Sequence, residues 1–479
     1  MKVAVAGIQQ AVIRSLRPRT WQGALLRVRS LLTPHLIPLG IVLLAAALGV
    51  LASLLQTPRV AAFPDTYRYL AVAHRLLTTH QFTDPYRTPG YPAFLALIFL
   101  LTGGEHWSAV VVAQSALIIL AAVEIYVLVY RIAERRWVAA LLASLAGLDL
   151  YFTAWARVLL SEALSYWMLV TLFLVFERCL RTERRGFLVA LTLLSTLAIL
   201  IRPQFIYLPI LFIAILALRA ARLRQFHRFW RPLAVSLAVT SALILAYMGA
   251  NAREQGLFSL SKVSSIDLLG KVMELNRRDH MPLTGADPRF APLVTDIERY
   301  RPRGDAWGFL KAHPEYDSPS GSLYATFSLQ VLAHHPLSAL LGDHQDFSTT
   351  ISPSLTPSIL VPYGQTPPWI VALMQFSRLP QLAYGPLLFL LPVYAIFAWR
   401  RPTQTSATLI FTLLAVTVMH IAVAAAGDYE SFDRLRFPVD WAMLAGVLLA
   451  SIDFITGRMR PRPSASSVSA GLDDVVPAG

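Results

Sequence analysis

Long apolar runs separated by short basic connections dominate the chain. The first run, Leu36–Gln56, is long enough to cross a bilayer of about 30 Å, which takes about 20 helical residues. Further candidate spans are Trp107–Tyr130, Trp137–Ala154, Ser161–Phe176, Gly186–Ile201, Phe205–Leu218, Pro232–Ala250, Pro380–Trp399, Ser406–Ala426 and Val439–Ile455. Two stretches break the pattern. From Thr66 to Leu77 the apolar positions Tyr69, Leu70, Ala73, Leu76 and Leu77 recur at helical spacing, while Arg68 and Arg75 fall on another face. That pattern predicts an amphipathic helix lying along the membrane surface. After a turn rich in proline and glycine (Pro85, Pro89, Gly90, Pro92) comes Ala93–Leu101, apolar but short for a span.

The reading of Ala93–Leu101 decides the topology. The connections Arg131–Arg136, Arg178–Arg185 and Arg219–Arg231 are basic, and basic connections stay in the cytoplasm. All three fall inside only if Ala93–Leu101 is a surface-lying or re-entrant helix. The expected fold class is therefore an all-α polytopic membrane protein: a bundle of about ten transmembrane helices with juxtamembrane helices in the first outer loop. Five regions follow: a basic cytoplasmic tail over 1–35, a transmembrane module over 36–250 with its first outer loop at 57–106, an extracytoplasmic segment over 251–379, C-terminal spans over 380–456, and a disordered cytoplasmic tail over 457–479. Within 251–379 only weak helical patterns near Tyr324–Leu341 stand out. No cleavable signal is evident, and no internal repeat of the kind many transporters carry.

Composition agrees. Of 479 residues 56% are hydrophobic and 15% charged, against about a quarter charged in soluble domains. The net charge of +14 lies mostly beside the spans, with no basic patch interleaved with aromatics outside them, so nucleic acid is not an expected partner. One cysteine, Cys179, excludes an intrachain disulfide and a cysteine metal cage. The cluster His334, His335, Asp343, His344 and Asp346 matches no metal-ligand spacing, and no phosphate-binding glycine loop, serine elbow or zinc-protease motif occurs. The lipid bilayer is the first expected partner, and a multi-pass place in the inner or plasma membrane the expected location.

Charged groups at the edges of apolar spans are costly unless used or paired. Asp65 follows the first span; Arg157 and Glu162 flank the Val158–Ser161 connection; Arg202-Pro203 closes one span; Arg434 and Arg436 precede the last. All map to the predicted outer face. Any one of them is equally well explained by helix capping or structural ion pairing. Glu124 and Asp149 lie within spans and read as internally paired.

These segments resemble the bacterial branch of the GT-C membrane glycosyltransferases, the superfamily of protein O-mannosyltransferases and the lipid A aminoarabinose transferase. The carriers are Asp65-Thr-Tyr-Arg-Tyr69, Arg87-Thr-Pro-Gly-Tyr-Pro-Ala-Phe-Leu-Ala-Leu97, Leu160-Ser-Glu162, Leu200-Ile-Arg-Pro203 and Arg434-Leu-Arg-Phe-Pro438. The resemblance implies transfer of a sugar from a polyprenyl-phosphate-linked donor to an acceptor hydroxyl, on a glycan, lipid or protein, at the extracytoplasmic face. It places a catalytic acid at Asp65 and a second at Glu162, with Arg68, Arg87, Tyr91, Arg157, Arg202, Arg434 and Arg436 as candidate substrate contacts. Asp65 is followed by Thr66 and Tyr67 rather than by a second acid two positions on, so no cofactor is expected and a divalent metal is not favoured. The competing expectations are a transporter or flippase of lipid-linked sugar, which would distribute polar groups through the spans, and a non-catalytic scaffold of the same fold.

Overall fold

A computed structural model describes residues 18–56, 60–182, 184–300, 305–317, 321–339, 342, 368–376, 383–427 and 436–456. Among them the chain is helical, with one isolated β-bridge. The first helices are α1 (Pro18–Gln56), α2 (Pro64–Thr79), α3 (Gly90–Thr102), α4 (Trp107–Ala133), α5 (Arg136–Leu148) and the short α6 (Leu150–Thr153). Next come α7 (Glu162–Thr182), α8 (Arg185–Ile201), α9 (Tyr207–Arg222) and α10 (Phe226–Gln255). Helices α11 (Val263–Asp279), α12 (Ala291–Tyr300), α13 (Ala306–Ala312) and α14 (Ser322–His334) follow. The chain then adds α15 (Pro368–Phe376), α16 (Tyr384–Arg400), α17 (Thr405–Gly427) and α18 (Asp440–Ile455).

Each of the ten predicted spans overlaps a helix. Six are long and apolar enough to cross a bilayer unaided, and a seventh is formed if the bent pair α5–α6 is taken as one span. The apolar helices α8 and α16, at 17 residues, fall just short of that length. The bend between α5 and α6 is 53° and has a local cause. Asp149 turns its carboxylate back to accept from the Tyr151 amide at 2.8 Å, capping a new helix start inside the apolar run. Large apolar side chains remain open on the bundle's outside, Leu101 at 73% and Phe389 at 72% among them, as in a protein whose solvent there is lipid.

Small residues let the helices approach closely. A Cβ on Gly49 of α1 would strike the Gly147 carbonyl of α5, and one on Gly147 would press on Ala46. Polar groups inside the bundle are bonded across helices. Glu124 accepts from Trp167 Nε1 at 3.2 Å and Thr171 Oγ1 at 2.8 Å, as the paired reading expects.

The short helix α3 does not carry the chain to the other end of the bundle. Before it, Arg87 bonds Asp65 at the start of α2; after it, Glu105 bonds His74 of the same helix at 2.9 Å. At the opposite end the basic connections meet one another. Arg131 reaches Glu177 at 2.9 Å, and Arg219 donates to the carbonyls of Leu180 and Pro402, both at 2.9 Å.

Beyond α10 the chain builds a second apolar core from α11 to α14, around Ile266, Leu269, Val272, Phe290, Phe309 and Phe327. It docks on the bundle through a backbone bond, Lys262 N to Pro85 O at 2.7 Å, and a side-chain one, Ser261 Oγ to Tyr86 O at 2.8 Å. Lys271, buried in α11, donates to Ala425 O at the end of α17 at 2.8 Å.

Candidate active site

The site is assembled by the two connections that face the end of α1. Pro64 opens α2 with its fixed φ, and the Thr66 hydroxyl accepts from the Phe63 amide at 3.0 Å, so Asp65 falls in the first turn, where the helix dipole favours a carboxylate. The same hydroxyl donates to Leu159 O at 3.0 Å. Ala61 and Val158 form a parallel bridge, with Ala61 N to Arg157 O at 3.1 Å and Leu159 N to Ala61 O at 3.2 Å. The segment carrying Asp65 is thus stitched to the residues just before Glu162.

The stretch Trp155–Ser161 leaves a single 3₁₀ turn (Ala154–Arg157) for irregular backbone from Val158 on, and it is wholly buried. Non-helical backbone at that depth requires internal partners. Gln114 of α4 supplies two, donating to Ala156 O at 2.9 Å and Val158 O at 2.8 Å while accepting from the Tyr91 hydroxyl at 2.8 Å. Tyr91 is therefore a brace, held edge-on to Tyr69 at 4.9 Å.

Each acid faces an arginine from a different segment. Asp65, with 28% of its side chain open, is bonded by Arg87. Arg87 lies 5.0 Å over the Tyr69 ring and is set by Asp84, which accepts from the Tyr86 and Arg87 amides at 2.8 and 2.9 Å and pairs with Arg75 at 2.6 Å. Glu162, with no exposed surface, accepts from Arg202 at 3.2 Å. The segments that carry the two arginines meet at Gly90, where a Cβ would lie 2.7 Å from the backbone of Leu200 and Ile201, directly before Arg202.

The remaining candidates are placed differently. Arg157 is buried beside Val158. Arg68 stacks over Tyr86 at 4.1 Å and Trp307 at 5.2 Å, joining α2 to the second core rather than pointing at either acid. Arg436 is held by Asp440 at 3.1 Å, with Tyr384 donating to the same carboxylate at 2.7 Å. Burial alone would lower the Arg436 pKa, but the Asp440 carboxylate outweighs it and holds the guanidinium charged well above its usual range. Arg434 lies outside the described residues. Of the histidine cluster, His335 bonds Thr284 at 2.9 Å, and Asp343, His344 and Asp346 lie outside the described residues. Asp296, His313 and Glu315 bring three potential ligand atoms within 4.8 Å of one another in the second core.

Gln114, Asp84 and His420 are not among the sequence candidates. Gln114 had a readable signal, an amide inside an apolar span. His420 sits in α17 and bonds Gln204 at 3.1 Å and the Tyr207 hydroxyl at 3.0 Å, fixing the turn that follows Arg202.

Residues 86–245 match the family model described as dolichyl-phosphate-mannose-protein mannosyltransferase. No curated protein matches the chain. In fold it is similar to the oligosaccharyltransferase AglB of Archaeoglobus fulgidus in complex with an inhibitory peptide and a dolichol-phosphate: 11% identity over 91% of this chain and 52% of that one, TM-score 0.44. The apo form of the Archaeoglobus fulgidus enzyme gives 12% identity, 91% and 54% coverage, and a TM-score of 0.45. ArnT of Cupriavidus metallidurans in the apo state gives 14% identity, 89% and 81% coverage, and a TM-score of 0.34. The chain spans about half the length of the archaeal oligosaccharyltransferases. Arg87, Tyr91, Arg157, Glu162 and Arg202 fall inside the residues matched by the mannosyltransferase family model, and Asp65 precedes them.

Proposed function

We propose that this protein transfers a sugar from a polyprenyl-phosphate donor to an acceptor hydroxyl at the extracytoplasmic end of its bundle. The observation that carries the reading is the pair of carboxylate–guanidinium contacts, Asp65 with Arg87 and Glu162 with Arg202, joined by the Ala61–Val158 bridge and the Gly90 contact.

An alcohol is a weak nucleophile and needs a base as its C–O bond forms. Asp65 is the more open acid and takes that proton. The acceptor oxygen bonds the anomeric carbon while the bond from that carbon to the phosphate oxygen breaks, and the electron pair leaves on the phosphate. Developing charge there is met by guanidinium groups through forked hydrogen bonds. Arg87 serves both ends of this step. Bonded to Asp65 it holds the acid in place; engaged by the incoming phosphate it releases the carboxylate to act as base. Glu162 is sealed from solvent and acts through Arg202 as a positioning residue. A single displacement with one base inverts the anomeric centre.

The guanidinium facing each acid supports a reading without a divalent metal. Each acid already faces a cation from a separate segment, and a dication at Asp65 would sit against Arg87. Chelation with EDTA is expected to leave turnover unchanged.

The test is discharge of a panel of polyprenyl-phosphate sugars by purified protein. Wild type is expected to release polyprenyl phosphate and glycosylate an acceptor, and Asp65→Asn to lose this by at least 100-fold while remaining folded in the membrane. Near-normal turnover by that variant would overturn the assignment of the base. Carrier translocation without any transfer would overturn the whole reading in favour of a transporter.

A further inference from the structure

Arg87 lies in the connection between α2 and α3, where residues 80–89 form neither helix nor strand. Its guanidinium bonds Asp65 and lies over the Tyr69 ring, and its Nε is buried with no hydrogen-bond partner among the described residues. With so little holding the side chain itself, its aim follows its backbone. That backbone is gripped from elsewhere in the chain. Pro85 O accepts from Lys262 N at 2.7 Å, Tyr86 O from Ser261 Oγ at 2.8 Å, and Arg87 O from the Tyr247 hydroxyl at 3.4 Å. Three successive carbonyls thus take their donors from the last turns of α10 and the segment leading into α11.

Tyr86 adds a side-chain anchor beside them. Its ring packs on the second core, 6.0 Å from the Trp307 ring. Arg68 lies 4.1 Å over the same ring and Lys262 Nζ 5.6 Å from its centre. Both cations are attracted to the aromatic quadrupole. Arg68 comes from α2, three residues after Asp65, whereas Lys262 is buried before α11 and paired with Asp317 at 2.6 Å. One ring therefore meets the helix that carries Asp65 and the second core, and its own residue directly precedes Arg87. A misplacement of about 1 Å at a reacting group can cost about 100-fold in rate, so an anchor at this place bears on chemistry as well as on docking.

We propose, on the transfer reading above, that Tyr86 is a positioning residue: lodged between Arg68 and the second core, it aims Arg87 at Asp65. The second core thereby takes part in the geometry of the transfer step through the connection it holds.

Two readouts on the full chain in detergent test this. A structure of Tyr86→Ala is expected to show the Arg87 guanidinium out of hydrogen-bond reach of Asp65, whether or not the protein turns over. In the discharge assay the same variant is expected to lose at least 10-fold in kcat while the KM for the acceptor stays within about 3-fold of wild type. Tyr86→Phe, which keeps the ring, is expected to retain kcat within about 2-fold. Leu293→Ala, a buried position on α12 of the second core, is expected to lower the melting temperature without lowering the kcat of the folded protein. Should Tyr86→Ala fail to fold, Ser261→Ala, which removes the bond to Tyr86 O and keeps the ring, is expected to displace Arg87 likewise and to lower kcat about 3-fold. Arg87 still bonded to Asp65 in the folded variant, an unchanged kcat, or an equal fall in kcat from Leu293→Ala would overturn the proposal. An active Asp65→Asn would instead overturn the transfer reading, and the displacement of Arg87 is read independently of it.

Discussion

Glu162 has no surface open to solvent, whereas Asp65 keeps 28% of its side chain exposed, although each carboxylate meets a guanidinium. Burial makes the Glu162–Arg202 pair the more demanding of the two. Removing one partner of a buried pair leaves a charge stranded in low dielectric, at a cost of about 3–5 kcal/mol. Glu162→Gln is therefore expected to lower thermal stability by that order. Glu162→Gln/Arg202→Met, which removes both charges, is expected to recover most of it without recovering transfer. Differential scanning fluorimetry in detergent checks the first half and the discharge assay the second. At Asp65, by contrast, Asp65→Asn is expected to leave stability within about 1 kcal/mol, since a partly exposed pair contributes little. Both acids stand out in the sequence as charges beside apolar runs. Their pairing does not, because Arg87 lies 22 positions from Asp65 and Arg202 lies 40 from Glu162.

The elements that hold these residues are short and depend on close backbone approach. Gly90 begins α3 against Leu200 and Ile201, where any Cβ must displace backbone rather than a flexible side chain. Overpacking of this kind costs about 1–3 kcal/mol. Gly90→Ala is expected to shift α3 away from Arg202 and to reduce turnover by at least 10-fold while the bundle stays assembled; the discharge assay with size-exclusion chromatography separates the two effects. The turn residues around Gly90 are conspicuous in the sequence, and the amphipathic pattern of α2 is readable from Tyr69, Leu70 and Ala73, all buried in the structure. Less was legible in 251–379. Helices α11 to α14 pack their own core, and α11 carries Ile266, Leu269, Val272 and Met273 at helical spacing. That periodicity is present but is diluted by Lys271, whose buried amine is satisfied by a carbonyl 154 positions away.

At the scale of the whole molecule the two ends of the bundle have opposite chemistry. One gathers acids with arginines from the predicted outer connections; the other gathers the basic connections, with Glu177 buried among Arg131, Arg178 and Arg181. By the positive-inside rule the second end is expected to face the cytoplasm. A chain freed of its cysteine by Cys179→Ser tests that assignment. Tyr67→Cys, at an exposed position in α2, is expected to react with an impermeant maleimide in intact cells, and Arg184→Cys only after permeabilisation. Labelling in the reverse order would place the proposed chemistry on the wrong side of the membrane.

By itself the sequence determined that the protein is a helical membrane bundle, which helices are apolar and which connections are basic, because burial in lipid imposes long runs and leaves charges only at their ends. It also picked out Asp65, Glu162 and Arg202, since a charge beside an apolar run is costly enough to be visible one residue at a time. Only the tertiary structure decided which acid meets which arginine, that Arg68 serves the second core, that Tyr91 is a brace on Gln114, and that Trp155–Ser161 is buried. Those outcomes depend on contacts between distant segments, and the partners of a buried polar group leave no periodic trace in the chain that supplies them.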